Sequence, residues 1–221
     1  MSESKEVILE AKHVTRRFRT TDGRTLLANN DVNLKFYKGE TLGLVGESGC
    51  GKSVTAQCIL RLNPEPPGFF EGGEILYKGQ DVLKMSKKEI RKIRGREIGF
   101  VFQDPMTSLN PTMRVGAQIE EVFLGRTDVS KKEVKERAMD IMRLVGISDV
   151  EKRYKQYPHE LSGGMKQRVM IAIALVSRPS VIICDEPTTS LDVTIEAQIL
   201  DLLLELREKL GTSIIMITHD L

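Results

Sequence analysis

The chain has 221 residues, of which 40% are hydrophobic and 29% charged, with a net charge of +2 at pH 7. This balance predicts one soluble globular domain and argues against a disordered chain. A charge so close to neutral gives no global support for nucleic-acid binding, which usually accompanies a strongly basic face.

The chain begins with predicted strands and then a strand–loop–helix unit. VILEAKHVTRRF predicts one strand, and DVNLKFYKGETLGLVG predicts two more joined at Lys38-Gly39. The second of these ends in an apolar run, which predicts a strand buried on both faces. SVTAQCILRLN predicts a helix that Asn63-Pro64 stops.

A hairpin and a short helix lead to the next buried strand. GGEILYKGQDV predicts part of a hairpin. Ser86 and Glu89 form a capping-box pattern, and Gly95 predicts the end of the helix that they begin. EIGFVFQ then predicts a buried strand.

The middle of the chain predicts helices and loops without a strand, from about Pro105 to Arg178. A second capping-box pattern, Ser130 with Glu133, opens a helix that Gly146 ends. The apolar positions of this helix follow helical spacing: Val134, Ala138, Ile141, Met142 and Val145.

Strands return near the end, at SVIICDE and at TSIIMITH. Asp192 is the predicted N-cap of the helix between them. Its buried stripe is predicted to consist of Ile195, Ile199, Leu202, Leu203, Leu206 and Leu210. The whole order predicts an α/β core interrupted by a helical insert.

Three cysteines occur without a Cys-x-x-Cys pair, and no histidine spacing suggests a metal site, so a reduced cytosolic protein is the simplest interpretation. The N-terminal MSESKEVILE lacks the apolar stretch of a secretory signal. The longest strongly apolar run, VMIAIALV, is far shorter than the ~20 residues of a membrane helix. Work at a membrane would therefore be done from beside it.

Four predicted strands each end at residues that could take part in binding or catalysis. TLGLVG runs into GESGCGKS, IGFVF ends at Gln103, VIIC ends at Asp185-Glu186, and SIIMIT ends at His219. Ligands of parallel α/β sheets bind at the carboxyl ends of the strands. The repetition predicts one site built from these four ends.

GESGCGKS, from Gly46 to Ser53, fits the phosphate-loop pattern G-x-x-x-x-G-K-[ST]. Glycines allow several N–H groups to point inward at an oxyanion, and the following helix adds its positive end. Lys52 is expected to reach the β- and γ-phosphates, and the Ser53 hydroxyl to bind Mg²⁺.

The acids after VIIC predict metal binding and water activation, with Asp185 holding Mg²⁺ and Glu186 acting as general base. An ordinary turn with exposed acids is the alternative. Gln103 either contacts metal and water or is a simple loop amide. His219 either contacts the γ-phosphate and orders Glu186 or is a hydrogen-bonded structural residue.

The sequence resembles the ATP-binding subunits of ABC transporters over essentially its whole length. The matching motifs are GESGCGKS as Walker A, Gln103 as the Q-loop, LSGGMKQR as the signature, VIICDE as Walker B, SLD from Ser190 to Asp192 as the D-loop, and His219 as the switch histidine.

The resemblance implies an α/β fold: a P-loop NTPase (RecA-like) core with an N-terminal antiparallel β subdomain and an inserted α-helical subdomain. Residues 1–221 would be one nucleotide-binding domain, with core parts 1–104 and 179–221 around a helical part 105–178. Domains of this family continue beyond the switch histidine, so the resemblance implies a C-terminally truncated domain.

The resemblance also implies the site residues. ATP would contact Phe18, Gly46, Glu47, Ser48, Gly49, Cys50, Gly51, Lys52, Ser53, Val54, Gln103 and Asp185, and Mg²⁺ would contact Ser53, Gln103 and Asp185. Catalysis would use Glu186, His219 and Gln103. A second subunit would supply Ser162, Gly163, Gly164 and Asp192 in trans, unless LSGG merely caps its helix. Phe18 would stack on adenine, or is simply a core residue.

FQDPMTSLNP and LSGGMKQRVMIAIAL resemble the branch of this family that imports dipeptides, oligopeptides or nickel, and Met165 resembles its first, "D"-type ATPase subunit. The implied partners are a second ATPase subunit, identical or different, integral membrane permeases and, indirectly, an extracytoplasmic binding protein, with no nucleic acid. The implied location is the cytoplasmic face of the membrane. Alternatives are a non-transport ABC ATPase and a subunit that only binds ATP.

One basic stretch, KMSKKEIRKIRGR, has no place in these motifs. It either contacts lipid headgroups, as basic clusters beside membranes do, or is a solvated helix face.

Overall fold

The computed structural model describes residues 6–125, 128–189 and 191–219. These residues form two compact units. The first contains the described residues up to Arg94 and from Ile215, and the second is Gly95–Ile214. The predicted division of one nucleotide-binding domain at residues 104 and 178 stays a prediction.

The first unit contains most of the strands. Its elements are β1 (Val7–Arg19), β2 (Thr25–Tyr37), β3 (Thr41–Val45), α1 (Lys52–Ile59), β4 (Gly68–Tyr77), β5 (Gln80–Asp81) and α2 (Lys87–Ile93). A 3₁₀ turn, Val82–Lys84, precedes α2. Every strand predicted in this part of the chain, including the hairpin, is present.

The second unit is mainly helical. Its elements are β6 (Ile98–Val101), α3 (Pro105–Ser108), α4 (Val115–Glu121), α5 (Lys131–Leu144), α6 (Val150–Arg153), α7 (Gly163–Leu175), β7 (Val181–Asp185) and α8 (Val193–Leu210). The last strand, β8 (Ser213–Thr218), contains the boundary between the units. The described residues between 105 and 178 contain no strand, as predicted.

An antiparallel sheet with the order β2-β1-β4-β5 forms much of the first unit. Leu9, Ala11 and Val14 of β1 are buried, together with Phe36 of β2 and Ile75 of β4. Strand side chains alternate between faces, so these apolar residues supply one buried face of the sheet.

The second sheet has the order β3-β8-β7-β6, and β6 pairs with β7 in parallel. β7 is buried along its whole length, and β6 is nearly so. The prediction that β3 is buried on both faces is wrong, because Thr41, Gly43 and Val45 are exposed. Within the described residues, β3 stands at the end of this strand order, a position that its apolar sequence does not reveal.

The helix ends follow the predicted capping chemistry with two differences. Ser86 and Glu89 form the full capping box of α2. Ser130 caps α5, but the Glu133 carboxylate accepts a hydrogen bond from Arg137, one turn along the helix. α1 ends at Ile59 instead of continuing to Asn63, since Arg61 takes a left-handed backbone conformation with φ 50°.

In α5 and α8 most of the predicted residues are buried, and Val134 of α5 is half-buried. In α5, Ala138, Ile141 and Met142 are buried. The buried residues of α8 are Ile199, Leu202, Leu203 and Leu206, and the predicted stripe residues at its two ends are half-buried. No helix among the described residues is both long and apolar enough to cross a bilayer.

Candidate functional site

The phosphate loop, Gly46 to Ser53, connects β3 to α1 and is anchored to β2. Gly51 has φ +97°, and a Cβ there would lie 2.6 Å from the Ala28 carbonyl oxygen. The Asn29 amide donates hydrogen bonds to the Gly51 oxygen, at 3.1 Å, and to the Thr55 hydroxyl, at 2.8 Å. The loop therefore needs glycine where its backbone approaches the neighbouring strand.

The Lys52 ammonium lies over the same loop. Its Nζ donates to the carbonyl oxygens of Gly46, at 2.6 Å, and Glu47, at 2.8 Å. Ser48, Gly49 and Cys50 form the exposed tip, whereas Ser53 and Val54 in the first turn of α1 are half-buried. The loop thus presents a lysine cation and a helix N-terminus on a glycine-rich turn, which favours anions.

Phe18 lies near the end of β1 and is half-buried. The Arg16 guanidinium lies 5.4 Å from the centroid of its ring. A Cβ at Gly68 would lie 2.9 Å from its Cε1. The ring is packed by its own sheet, and both interpretations of Phe18, adenine stacking and core packing, stay open.

The second unit brings Gln103 and Glu186 into contact. β6 and β7 are paired in register from Ile98 opposite Val181 to Val101 opposite Cys184, so both strand ends lie at the same edge. The Gln103 Nε2 donates a hydrogen bond of 2.7 Å to the Glu186 Oε2. The predicted meeting of these two strand ends is confirmed.

Asp185 and Glu186 have different environments. Asp185 ends β7 and is only 4% exposed, whereas Glu186 is half-buried with a left-handed φ of 45°. Successive strand residues point to opposite faces, so two adjacent carboxylates can serve different roles. This arrangement favours the functional interpretation over a turn of two exposed acids.

Thr189 belongs to the same cluster, although the sequence reasoning missed it. Its hydroxyl donates a 3.1 Å hydrogen bond to the Glu186 Oε2, the oxygen that Gln103 also contacts. The available signal was a hydroxyl residue three positions after the acid, in the turn that follows β7. Two donors on one oxygen fix the orientation of the Glu186 carboxylate.

A pocket of about 350 Å³, here called the signature pocket, lies within the second unit. It is lined by Ser162, Gly163, Gly164, Met165, Arg168, Leu191, Asp192 and Ile195. The structure therefore brings the predicted residues Ser162, Gly163, Gly164 and Asp192 together. Ser190 lies outside the described residues.

Two helix N-termini border the signature pocket. The Ser162 Oγ accepts from the Met165 N–H at 3.4 Å, and an Asp192 carboxylate oxygen accepts from the Ile195 N–H at 3.0 Å. Arg168 adds a cation on α7, held by a 2.6 Å hydrogen bond to the Val145 carbonyl oxygen. Capping by Ser162 is confirmed, and it leaves the anion-binding role open, because the cap engages the Met165 N–H and not those of Gly163 and Gly164.

His219 lies one residue beyond β8 and is exposed. It belongs to the first unit, as does the phosphate loop. Its predicted contacts with a phosphate and with Glu186 stay predictions.

The predicted metal ligands Ser53, Gln103 and Asp185 supply hydroxyl, amide and carboxylate oxygens. Mg²⁺ is usually held by one or two carboxylates, with phosphates and waters completing its shell. Among residues 6–125, 128–189 and 191–219, no group of three or more His, Cys, Asp or Glu side chains suggests an all-protein metal cage. The carboxylate of the buried Asp185 is a ligand type that Mg²⁺ prefers.

Comparison with known proteins gives consistent findings. Residues 29–189 match the family described as ABC transporter. The "Oligopeptide transport ATP-binding protein OppD" of Bacillus subtilis (strain 168) is 56% identical over 214 residues, which cover 97% of this chain and 60% of the relative. The "Dipeptide transport ATP-binding protein DppD" of the same organism is 52% identical over 202 residues, covering 91% and 60%.

A solved structure, the dimeric post-hydrolysis state of the ATP-binding cassette MJ0796 bound to ADP and Pi, superposes with a TM-score of 0.83 at 31% identity. The match covers 96% of this chain and 88% of that one. It confirms the predicted fold class, a mixed α/β fold with an antiparallel β subdomain and a parallel sheet. The chain spans about 60% of the length of these two curated relatives.

Proposed function

The chain belongs to the ABC transporter family, and we propose that it is the ATP-hydrolysing subunit of a peptide importer. The matched residues include the phosphate loop, Gln103, the signature and the Asp185-Glu186 pair. The names of the two Bacillus relatives supply the proposed cargo, oligopeptides or dipeptides. Proposed partners are a second ATPase subunit, membrane permeases and, indirectly, a binding protein, with this chain peripheral at the cytoplasmic face of the membrane.

The observation that best supports ATP hydrolysis is the position of Glu186. Its carboxylate is held by Gln103 and Thr189, directly after the buried Asp185. A general base must be fixed within hydrogen-bonding distance of the proton that it accepts. We assign Glu186 to accept the proton of the attacking water, and Gln103 to orient Glu186. A subunit that only binds ATP, without hydrolysing it, would have no need for this arrangement.

The phosphate loop holds the triphosphate. Its N–H groups bind phosphate oxygens, and Lys52 exchanges the carbonyl oxygens of Gly46 and Glu47 for oxygens of the β- and γ-phosphates. Ser53, Gln103 and Asp185 would hold Mg²⁺, which neutralises phosphate charge when bound. We assign His219 to the γ-phosphate and Phe18 to the adenine face.

The signature pocket supports the proposal that ATP is shared between two subunits. Ser162 caps the 13-residue helix that Gly163 and Gly164 begin. The N-terminus of this helix attracts anions, and Asp192 lies beside it. One chain thus carries two anion-binding turns, the phosphate loop and the signature. In a head-to-tail dimer, each turn would contact a phosphate bound by the other subunit, so ATP would close the dimer and hydrolysis would open it.

Glu186→Gln tests the assigned chemistry. The amide cannot accept the proton at neutral pH, so we expect ATP binding to persist while turnover falls by ~10²–10⁴. Nucleotide binding is measured with a fluorescent ATP analogue and turnover by phosphate release. Glu136→Gln on the exposed face of α5 is the matched control and should behave as the unchanged chain does. Normal turnover in Glu186→Gln would remove Glu186 from its role.

Copurification tests the transport role against a non-transport ABC ATPase. We expect the chain to be isolated with integral membrane subunits from its own organism. Isolation with ribosomes or DNA and without such subunits would contradict the importer proposal. ATP binding without any phosphate release, in the presence of those subunits, would instead favour a subunit that only binds ATP.

A further inference from the structure

The first unit has a pocket of about 540 Å³ that the proposed ATP chemistry does not use. It is lined by Arg61, Asn63, Glu65, Lys87, Lys88, Ile90, Arg91 and Arg94. Five of these eight residues are basic and one is acidic. We call it the basic pocket. Four of its cations come from the KMSKKEIRKIRGR stretch and one, Arg61, comes from the turn after α1, so it is more than a single solvated helix face.

Two arginines of the basic pocket are fixed by backbone carbonyls. The Arg94 Nε donates to the Leu60 oxygen at 2.8 Å, and its Nη2 donates to the Arg61 oxygen at 2.5 Å. The Arg61 Nη1 donates to the Met85 oxygen at 2.7 Å. These hydrogen bonds hold both guanidinium groups in place, and the neutral carbonyl oxygens do not neutralise their positive charge. A positioned guanidinium loses less conformational freedom when it binds an anion.

The positive charge of the basic pocket is poorly compensated. The Glu65 carboxylate is shared between Arg16, whose Nη1 lies at 2.5 Å, and Arg61, whose Nη2 lies at 3.8 Å. Within the described part of the chain, no carboxylate lies within ion-pair distance of Lys87, Lys88 or Arg91. The pocket therefore keeps a large excess of positive charge.

Two other cations of the same stretch do have a carboxylate partner. Lys84 pairs with Asp81 at 3.0 Å, and Arg96 pairs with Asp128 at 3.9 Å. Burial and the charge of Arg61 lower the pKa of Arg94, the direction expected for a cation that has no full counter-charge beside it. An anion in the basic pocket would supply that counter-charge.

We propose that the basic pocket binds a phosphate group. Arginine forks match the paired oxygens of phosphate, and lysines add point charges around them. The pocket volume lies in the range of small-molecule sites, so it can admit a phosphate that carries a larger group. Two sources have this chemistry, the headgroup of an anionic phospholipid and a free phosphate. The pocket is inferred independently of the ATPase role, and only the lipid source depends on a site of action at the membrane.

The experiment compares two charge-reversal variants of equal net charge. Lys87→Glu with Arg91→Glu changes the basic pocket, and Lys131→Glu with Lys135→Glu makes the same change at the same spacing on exposed positions of α5. Cosedimentation is measured with vesicles of phosphatidylcholine alone and of equal parts phosphatidylcholine and phosphatidylglycerol. Isothermal titration calorimetry with inorganic phosphate tests the free anion. Lys88→Ala is a milder second variant, and thermal unfolding checks that each variant is folded.

We expect the unchanged chain and the α5 variant to bind the anionic vesicles, and the pocket variant to bind about tenfold or more weakly. A weaker loss in Lys88→Ala supports the same conclusion. Binding of inorganic phosphate alone, lost in the pocket variant, also supports the phosphate site and identifies a free phosphate as its source. Equal losses in both charge-reversal variants, or no binding to either probe, would overturn the proposal. Its failure would leave the ATPase proposal untouched, because none of the residues that line the basic pocket is assigned to the ATP site.

Discussion

Gly51 illustrates how one residue sets the shape of the phosphate loop. Its φ of +97° is one that L side chains rarely adopt, and its Cα faces the Ala28 carbonyl oxygen and the Asn29 amide. Asn29 in turn binds the Gly51 oxygen and the Thr55 hydroxyl, so one amide connects β2, the loop and α1. The conformation of the loop is therefore imposed by contact as well as by glycine content.

Gly51→Ala tests whether the steric contact with β2 adds to the strain of a positive φ. The new Cβ would lie 2.6 Å from the Ala28 oxygen, so we expect the free energy of unfolding to fall by about 1–3 kcal/mol more than in Gly23→Ala, and ATP binding to weaken. Gly23 is the matched control because its φ is +81° with no heavy atom near the added Cβ. Urea denaturation and ATP titration check both effects. Equal losses in the two variants would mean that backbone strain alone matters.

The residue types of the site were predictable, but their supporting partners were only partly so. Gln103 and Glu186 were identified from the ends of apolar runs, and the structure joins them. The sequence does not single out Thr189 or Asn29, because one hydroxyl or amide in a turn or strand is too weak a signal by itself. Asn29 acts through Gly51 and Thr55, which lie far from it in the sequence, whereas Thr189 contacts Glu186 only three residues away.

At the scale of elements, capping residues and apolar periodicity predicted which helices and strands form better than they predicted how exposed each element is. The N-caps Ser86, Ser130 and Asp192 are confirmed, since capping depends on local spacing. The exposure of β3 was not predicted, because an apolar run shows what a strand can bury and not which strands flank it. The early end of α1 depends on the backbone of Arg61, for which the sequence gives no signal.

Ser162→Ala tests whether the start of α7 does more than begin a helix. The lost cap should lower the free energy of unfolding by about 0.5–2 kcal/mol. Ser130→Ala is the matched control, because Ser130 caps α5 in the same way and does not line the signature pocket. We expect similar stability losses in chemical denaturation but reduced ATP turnover and ATP-dependent dimerisation only in Ser162→Ala. Equal turnover in the two variants would indicate that Ser162 acts as a cap alone.

At the scale of the whole molecule, the exposure of the three cysteine thiols differs between parts of the fold. Cys50 is exposed at the tip of the phosphate loop, whereas Cys58 and Cys184 are buried. Burial raises the pKa of Cys58 to about 11 and also raises the pKa of Cys184. Because the thiolate is the reactive form, a raised pKa and burial both slow the reaction of these two thiols near neutral pH.

Thiol labelling therefore tests the folded chain and its nucleotide site together. With a maleimide at neutral pH, we expect one thiol per native chain to react, and all three to react in denaturant, as counted by mass spectrometry. Mg-ATP should slow the labelling of Cys50, because a phosphate in the loop covers its exposed tip, while leaving the slow labelling of Cys58 unchanged. Rapid labelling of Cys58 or Cys184 in the native chain would contradict the buried positions of these residues. Labelling of Cys50 at an unchanged rate in saturating Mg-ATP would place the nucleotide elsewhere.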